Sequence, residues 1–338
     1  MAVRIASLSQ YAEEVVRGLV PASYEPEIVL VPPPPAPDAV REAVSDADLV
    51  LADKRHKHRL DRDTLAAMRR CRLIQQPAVG YDAIDHRAAA EMGIPVANAA
   101  GYNRDSVADW TVLAILTLIR DAGLADRGMR EGEWPMPPPL AGGGGAPAPE
   151  GVQRLRRGRE LGALTVGIVG LGNIGNAVAG RLRAFGSRLL FADVVPRSAP
   201  GATAVALDDL LSGSDVVTVH VPLDHDTRHL IGDEQLARMK PGAILINASR
   251  GPVVDEAALV RALDSGHLGG AGLDVFEVEP LAADSPLRAF ENVILSPHAA
   301  AWTDEAEARL LDVCGANLSR VLRDQEPFNV VNGVTRRR

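Results

Sequence analysis

At 338 residues, with 46 % hydrophobic and 24 % charged side chains, the chain is long enough for two domains and ordinary in composition for a globular protein. A formal net charge of −8 speaks against nucleic acid and anionic membranes as partners. Cys71 and Cys314 form no spacing pattern, the start carries no apolar leader, and the apolar run at 112–119 is too short to span a bilayer, so a cytoplasmic protein is expected.

Residues 3–8 and 28–31 read as strands, with a helical stretch at 11–19 between them. Prolines 32–35 make a rigid loop, 40–44 a short helix and 49–52 a strand. Residues 53–59 (DKRHKHR) form a polar, strongly basic loop. A helix at 63–68 leads to a strand at 73–75, a turn at 78–82, a helix at 84–92 and a strand at 95–98. Strands alternating with helices predict a parallel α/β domain. The helix at 106–120 is too densely apolar to be one-faced, which predicts a buried connector between domains with Ser106 as its N-cap. Residues 134–151 are rich in proline and glycine and read as a mobile loop.

The stretch at 166–193 is the most informative. A buried strand at 166–169 runs into Gly170-Leu171-Gly172-Asn173-Ile174-Gly175, then a helix, then a second strand ending on Asp193. Gly170 makes the tight turn, Gly172 lets a pyrophosphate approach the backbone, and Gly175 lets the helix pack on the strand. The helix start holds the phosphates, and Asp193 accepts from an adenosine ribose while repelling a 2′-phosphate, which favours NAD.

Beyond it, strands are expected at 216–221, 243–246, 270–273 and 293–295, helices at 236–239 and 256–263, and a long helix at 303–322. Arg250, Asp274 and His298 each sit just past the C-terminal end of a strand, where open parallel sheets bind ligands. Reducing a carbonyl needs a hydride, a proton donor and a cation that holds the substrate. Histidine suits the proton donor and a carboxylate orients its ring, which points to His298 with Glu279. Arginine matches a carboxylate in shape, which points to Arg250. Taken singly, each residue has a blander reading: a structural histidine, a loop-capping arginine, a solvated glutamate. The histidines show no ligand spacing with cysteine or carboxylate, so no metal is expected.

The chain resembles the D-isomer-specific 2-hydroxyacid dehydrogenase family, whose members include phosphoglycerate dehydrogenase, glycerate dehydrogenase and hydroxypyruvate reductase. The motifs are VGYDAID (79–85), GIPVANAAGYNRDSVADWT (93–111), VGIVGLGNIG (166–175), HVPL (220–223), MKPGAILINASRGPVVDEAAL (239–259), GLDVFEVEP (272–280) and SPHAAAWTDEA (296–306). The resemblance implies two doubly wound parallel-sheet domains. A Rossmann NAD-binding domain at 103–300 would be inserted in a flavodoxin-like substrate domain made of 1–102 and 301–338. It implies that Arg250 binds the substrate carboxylate and carbonyl, that His298 is the acid/base and that Glu279 supports it. Asp274 would contact the nicotinamide carboxamide. Asn173 and Ile174 would supply amides to the pyrophosphate, with His220, Val221, Pro222, Ala248, Ser249 and Ala300 lining the cofactor. Val79 and Gly80 would offer N–H groups to the substrate carboxylate. The family also implies a homodimer through the NAD-binding domain.

Two features depart from the family pattern: Ala299-Ala300-Ala301 replaces the more usual isoleucine and glycines, and the 134–151 loop is longer than usual. In the family the basic loop faces the cleft, so Lys57 is a candidate for a second anionic group on the substrate, and Trp302 for the pocket wall. Two other readings share the fold. One is an NAD-sensing binding protein of the corepressor type. The other is a dehydrogenase of a phosphite-type donor. Glu279 argues against a formate dehydrogenase, which carries glutamine there.

Overall fold

The computed structural model describes residues 3–31, 37–55, 58–136 and 155–337. The chain divides into two compact units, Met1–Asn103 with Thr303–Arg338, and Arg104–Trp302.

In the first unit, strands β1 (Arg4–Ser7), β2 (Glu27–Leu30), β3 (Leu49–Leu51), β4 (Leu73–Gln75) and β5 (Val96–Ala97) form a parallel sheet ordered β2-β1-β3-β4-β5. Helices α1 (Glu13–Gly18), α2 (Pro37–Ser45), α3 (Arg62–Ala67) and α4 (His86–Glu91) connect the strands. Successive strand side chains point to opposite faces. Hence Ile5, Leu49, Leu51 and Leu73 join Val16 and Leu19 in one core. Ala6, Val50 and Ile74 join Val44, Leu65 and Ala88 in the other.

The second unit carries helices α5 (Arg104–Ile119) and α6 (Ala122–Arg130), then seven parallel strands. These are β6 (Thr165–Val169), β7 (Arg188–Ala192), β8 (Ala202–Ala204), β9 (Val216–Val219), β10 (Ala243–Asn247), β11 (Leu268–Leu273) and β12 (Val293–Leu295), in the order β12-β11-β10-β9-β6-β7-β8. Helices α7 (Asn173–Ala184), α8 (Leu207–Gly213), α9 (Asp233–Arg238) and α10 (Glu256–Asp264) lie between them in sequence. Val217, Val219 and Leu245 pack with residues of α8, α9 and α10 on one face. Val216, Ile244 and Ile246 pack with α5 and α7 on the other. The sheet is therefore doubly wound. The strand order reverses between β6 and β9, and the crevice outside the carboxyl ends of those two strands is the topological place for a ligand. Helix α11 (Asp304–Leu322), N-capped by Thr303, belongs to the first unit.

Three elements carried no legible signal: α6, whose sequence includes two glycines, the edge strand β8 with only three residues, and the seven-residue α8. Ser106 is not an N-cap. The turn at 101–103 runs straight into α5 at Arg104, so Ser106 lies inside the first turn and is buried. Nor is α5 buried all round, because Leu113 is 60 % exposed. Among the described residues, no helix is long and apolar enough to cross a membrane.

Candidate active site

The three glycines of the loop after β6 meet different surroundings. Gly170 has φ +89°, and a Cβ on it would lie 2.8 Å from the His220 carbonyl oxygen. A Cβ on Gly175 would lie 2.1 Å from the Gly170 carbonyl oxygen, so only glycine lets α7 start this close to the strand. A Cβ on Gly172 would meet nothing within 4 Å. That open space above the loop is where a pyrophosphate would need room. Gly172 is also the N-cap of α7 and makes no side-chain cap, which leaves the first-turn N–H groups at Asn173 and Ile174 for an anion.

Asp193 ends β7. Its Oδ2 accepts the Leu171 N–H at 2.8 Å and its Oδ1 accepts the Val195 N–H at 2.9 Å. The acid expected at the ribose is thereby fastened to the glycine loop itself. His220, after β9, shares a 2.9 Å hydrogen bond between its Nε2 and the Thr218 hydroxyl. Its Nδ1 is buried without a partner among the described residues, and burial pushes its pKa down to about 3. Val221 packs against the Gly170 turn, and Pro222 follows on the exposed side. Open space, uncapped helix start, acid and orphaned ring nitrogen together fit a dinucleotide.

Along the sheet, three more strand ends hold candidate residues. After β10, the fully buried Asn247 organises the turn. Its Oδ1 accepts from the Ser249 N–H at 3.0 Å and the Ser249 hydroxyl at 2.7 Å, while its Nδ2 donates to the Arg250 carbonyl at 3.0 Å. Asn247 stood in the NASRG motif, but only the geometry shows that it shapes the loop. The Arg250 guanidinium donates to the Ser249 carbonyl at 2.7 Å. Ala248 and Ala300 pack together with Val107 in a small core of their own.

After β11, Asp274 is 1 % exposed. Its Oδ1 accepts the Ser296 hydroxyl and, at 2.8 Å, the Ala299 N–H; its Oδ2 accepts the Ala300 N–H at 3.0 Å. Burial raises its pKa, against the pull of those donors. The carboxylate thus braces the loop that carries His298.

His298 follows β12 with φ +54°, a left-handed conformation secured by its N–H to the Asp274 carbonyl at 2.8 Å. Its Nδ1 lies 2.9 Å from Glu279 Oε2, and Glu279 Oε1 accepts the Phe276 N–H at 3.2 Å. Partial burial works against the charged form of Glu279. The His298 hydrogen bond and charge, the Phe276 N–H and the Arg250 charge outweigh it and hold this carboxyl below its ordinary range. An imidazole, a carboxylate bonded to it and a guanidinium that acts electrostatically on that carboxylate therefore stand at adjacent strand ends of one sheet.

Four substrate-side candidates remain. Val79 and Gly80 sit in the loop after β4, where the Val79 carbonyl accepts from Asn98 Nδ2 at 2.6 Å. Trp302 closes the second unit and is exposed. Lys57 and most of the 134–151 loop fall outside the described residues. The basic loop is not a uniform cationic patch. His58 is buried with its Nδ1 2.9 Å from Asp53 Oδ2, and Lys54 is paired with Glu307.

Residues 112–300 match the family described as D-isomer specific 2-hydroxyacid dehydrogenase, NAD binding domain. A glyoxylate reductase of Korarchaeum cryptofilum is 39 % identical over 303 residues, covering 88 % of this chain and 87 % of that protein. The structure of a D-lactate dehydrogenase from Aquifex aeolicus, complexed with NAD and lactic acid, is similar with a TM-score of 0.79 and 30 % identity, covering 97 % of this chain and 99 % of that one. An NADPH-dependent glyoxylate/hydroxypyruvate reductase from Sinorhizobium meliloti, in complex with NADP and malonate, has a TM-score of 0.83 and 30 % identity, covering 99 % and 98 %.

Proposed function

Because the chain belongs to the D-isomer-specific 2-hydroxyacid dehydrogenase family and is an NAD-dependent oxidoreductase, we propose that it reduces a small 2-oxo acid to the D-2-hydroxy acid with His298, Glu279 and Arg250 as its catalytic residues. The observation that carries this reading is the 2.9 Å contact between His298 Nδ1 and Glu279 Oε2, made at strand ends beside Arg250. NADH, when bound, would supply the hydride for reduction, and NAD+ would accept it in the reverse direction.

The protein residues do the rest. Arg250 pairs with the substrate carboxylate and polarises the carbonyl oxygen. His298 donates from Nε2 to that oxygen as it becomes an alkoxide, and takes the proton back in oxidation. Glu279 holds Nδ1–H, fixing the tautomer and stabilising the imidazolium. Val79 and Gly80 are kept as N–H donors to the carboxylate, and Asn173, Ile174 and Asp193 as the phosphate and ribose contacts.

Glyoxylate and hydroxypyruvate are the first substrates to try, since reductases of these acids stand among the relatives. The pairing of Lys54 with Glu307 and of His58 with Asp53 favours a substrate with one carboxylate over one with a second anionic group. A homodimer is favoured by three exposed apolar side chains: Leu113 on α5, Met129 on α6 and Trp134 just beyond. A reducing cytoplasm suits the buried free thiols of Cys71 and Cys314.

The test is NADH oxidation with glyoxylate, hydroxypyruvate, a 2-oxo diacid and a phosphorylated 2-oxo acid, with His298→Ala as control. Turnover that vanishes in the variant supports the reading. NADH binding without turnover of any acid would favour the sensor reading, and NAD reduction by phosphite the donor reading.

A further inference from the structure

Outside the residues proposed for proton transfer and substrate binding stands a cluster of His229, Glu277 and Glu256. His229 Nε2 lies 2.8 Å from Glu277 Oε1. That carboxylate oxygen also accepts the Glu256 N–H at 3.3 Å, while the Glu256 carboxylate accepts the Glu277 N–H at 3.2 Å. Glu256 is the first residue of α10, so the reciprocal pair pins the Glu277 backbone to the start of that helix.

The backbone of His229 is tied the other way. Its N–H donates to the Pro252 carbonyl at 2.8 Å, and two residues on the Ile231 N–H donates to the Val253 carbonyl at 3.1 Å. Pro252 and Val253 follow Arg250; Glu277 precedes Glu279 by two residues. His229 thus grips the segment after Arg250 with its backbone and the segment before Glu279 with its ring. The two segments also touch directly, since a Cβ on Gly251 would lie 1.9 Å from the Phe276 carbonyl carbon. His229 makes both contacts from φ +53°, a left-handed conformation that a non-glycine residue keeps only where its surroundings over-determine it.

We propose that His229 is a positioning residue that sets the spacing between Arg250 and the Glu279–His298 pair by joining the Pro252 and Glu277 backbones. The proposal rests on the dehydrogenase reading above for its kinetic consequence. A tie of purely structural importance would alter stability alone. A positioning tie alters kcat, because small misplacements of catalytic groups are expensive in rate.

Full-length His229→Asn, Glu277→Ala, Glu277→Gln and the double variant His229→Asn/Glu277→Ala test it. Asparagine tolerates the left-handed backbone and is shorter than histidine, so it separates lost reach from backbone strain. The readouts are kcat and KM for the 2-oxo acid, NADH affinity by fluorescence, and hydrogen exchange over 250–254 and 274–280. His229→Asn and Glu277→Ala are each expected to lower kcat by about tenfold or more. NADH affinity should hold, exchange should quicken in both segments, and the double variant should be no worse than either single one. Glu277→Gln keeps an acceptor for His229 and should retain most activity. Unchanged kcat and exchange in both single variants would overturn the proposal, as would additive losses or a loss confined to NADH affinity. Should His229→Asn fail to fold, the Glu277 variants read the same tie from its other end. Should the wild-type protein turn over no 2-oxo acid, the dehydrogenase reading fails alone, and the exchange data still decide whether His229 joins the two segments.

Discussion

The Asp274 carboxylate holds the backbone N–H of Ala300 at 3.0 Å, with the Ala299 N–H and the Ser296 hydroxyl on its other oxygen. One buried acid thereby sets the loop from which His298 projects. Asp274→Ala leaves three donors without an acceptor in a buried place, and each costs about 1–3 kcal/mol when unsatisfied. The expected outcome is a lower melting temperature together with a loss of kcat larger than that of Asp274→Asn, which keeps one acceptor oxygen. Thermal melts and steady-state kinetics on both variants check it. Equal kinetics in the two would show that the acid does not place His298.

Two glycines of the loop after β6, Gly172 and Gly175, separate folding from binding. Gly175→Ala drives a Cβ to 2.1 Å from the Gly170 carbonyl oxygen, so α7 must move off the strand. Destabilisation of about 1–3 kcal/mol is expected, as for overpacking elsewhere, with weakened NADH binding following from it. Gly172→Ala places its methyl group in open space. Its melting temperature should stay near that of the parent while NADH affinity falls, because the methyl occupies the approach of the pyrophosphate. A Gly172→Ala protein that binds NADH normally would move the phosphate site elsewhere.

How much of this was legible follows the physics of each signal. The glycine loop, its flanking strands and Asp193 were readable because each glycine answers a local backbone demand. Arg250, Asp274 and His298 were readable as strand-end residues because buried parallel strands are continuous apolar runs that stop abruptly. Ser106 misled because residue type signals a cap only where the chain enters the helix, and here the entry comes earlier, at Arg104. In the basic loop composition does not say which way a side chain turns: His58 turns inward to Asp53, and Lys57 lies outside the described residues. Neither Asn247 nor His229 could be singled out, since each owes its role to partners that only the folded loops supply.

His220 should make stability depend on pH. In the unfolded chain it takes a proton near its ordinary pKa of 6.5; in the folded chain burial depresses that to about 3. The unfolded state therefore binds more protons between these values. The stabilisation from the neutral buried ring is fully present above pH 6.5 and is lost as pH falls toward 3. At about 1.4 kcal/mol per pKa unit, discounted for partial exposure of the residue, the loss amounts to a few kcal/mol. Urea unfolding of the parent and His220→Gln across this range should give a steeper acid slope for the parent. Parallel slopes would mean that the ring charges freely in the folded state.

Asn247 offers the cleanest separation of substrate from cofactor. Its Nδ2 donates to the Arg250 carbonyl and its Oδ1 gathers the Ser249 N–H and hydroxyl, all from a side chain 1 % exposed. Asn247→Asp keeps the acceptor, replaces the donor by a second oxygen and puts a carboxyl against the Arg250 carbonyl. Repulsion there displaces the turn on which Arg250 sits, and truncating one partner of a buried hydrogen bond typically costs about 1–3 kcal/mol. With Arg250 holding the substrate carboxylate in both ground and transition states, as proposed, KM for the 2-oxo acid should rise and kcat/KM should fall by about tenfold or more, the equivalent of about 1.4 kcal/mol. NADH affinity should fall by less than KM rises, because Asn247 also holds Ser249, which is expected to line the cofactor, while the glycine loop after β6 is built from other residues. Steady-state kinetics alongside an NADH titration measure the two effects separately. A variant that loses NADH while keeping its KM would place the Asn247 turn at the cofactor and remove Arg250 from the substrate.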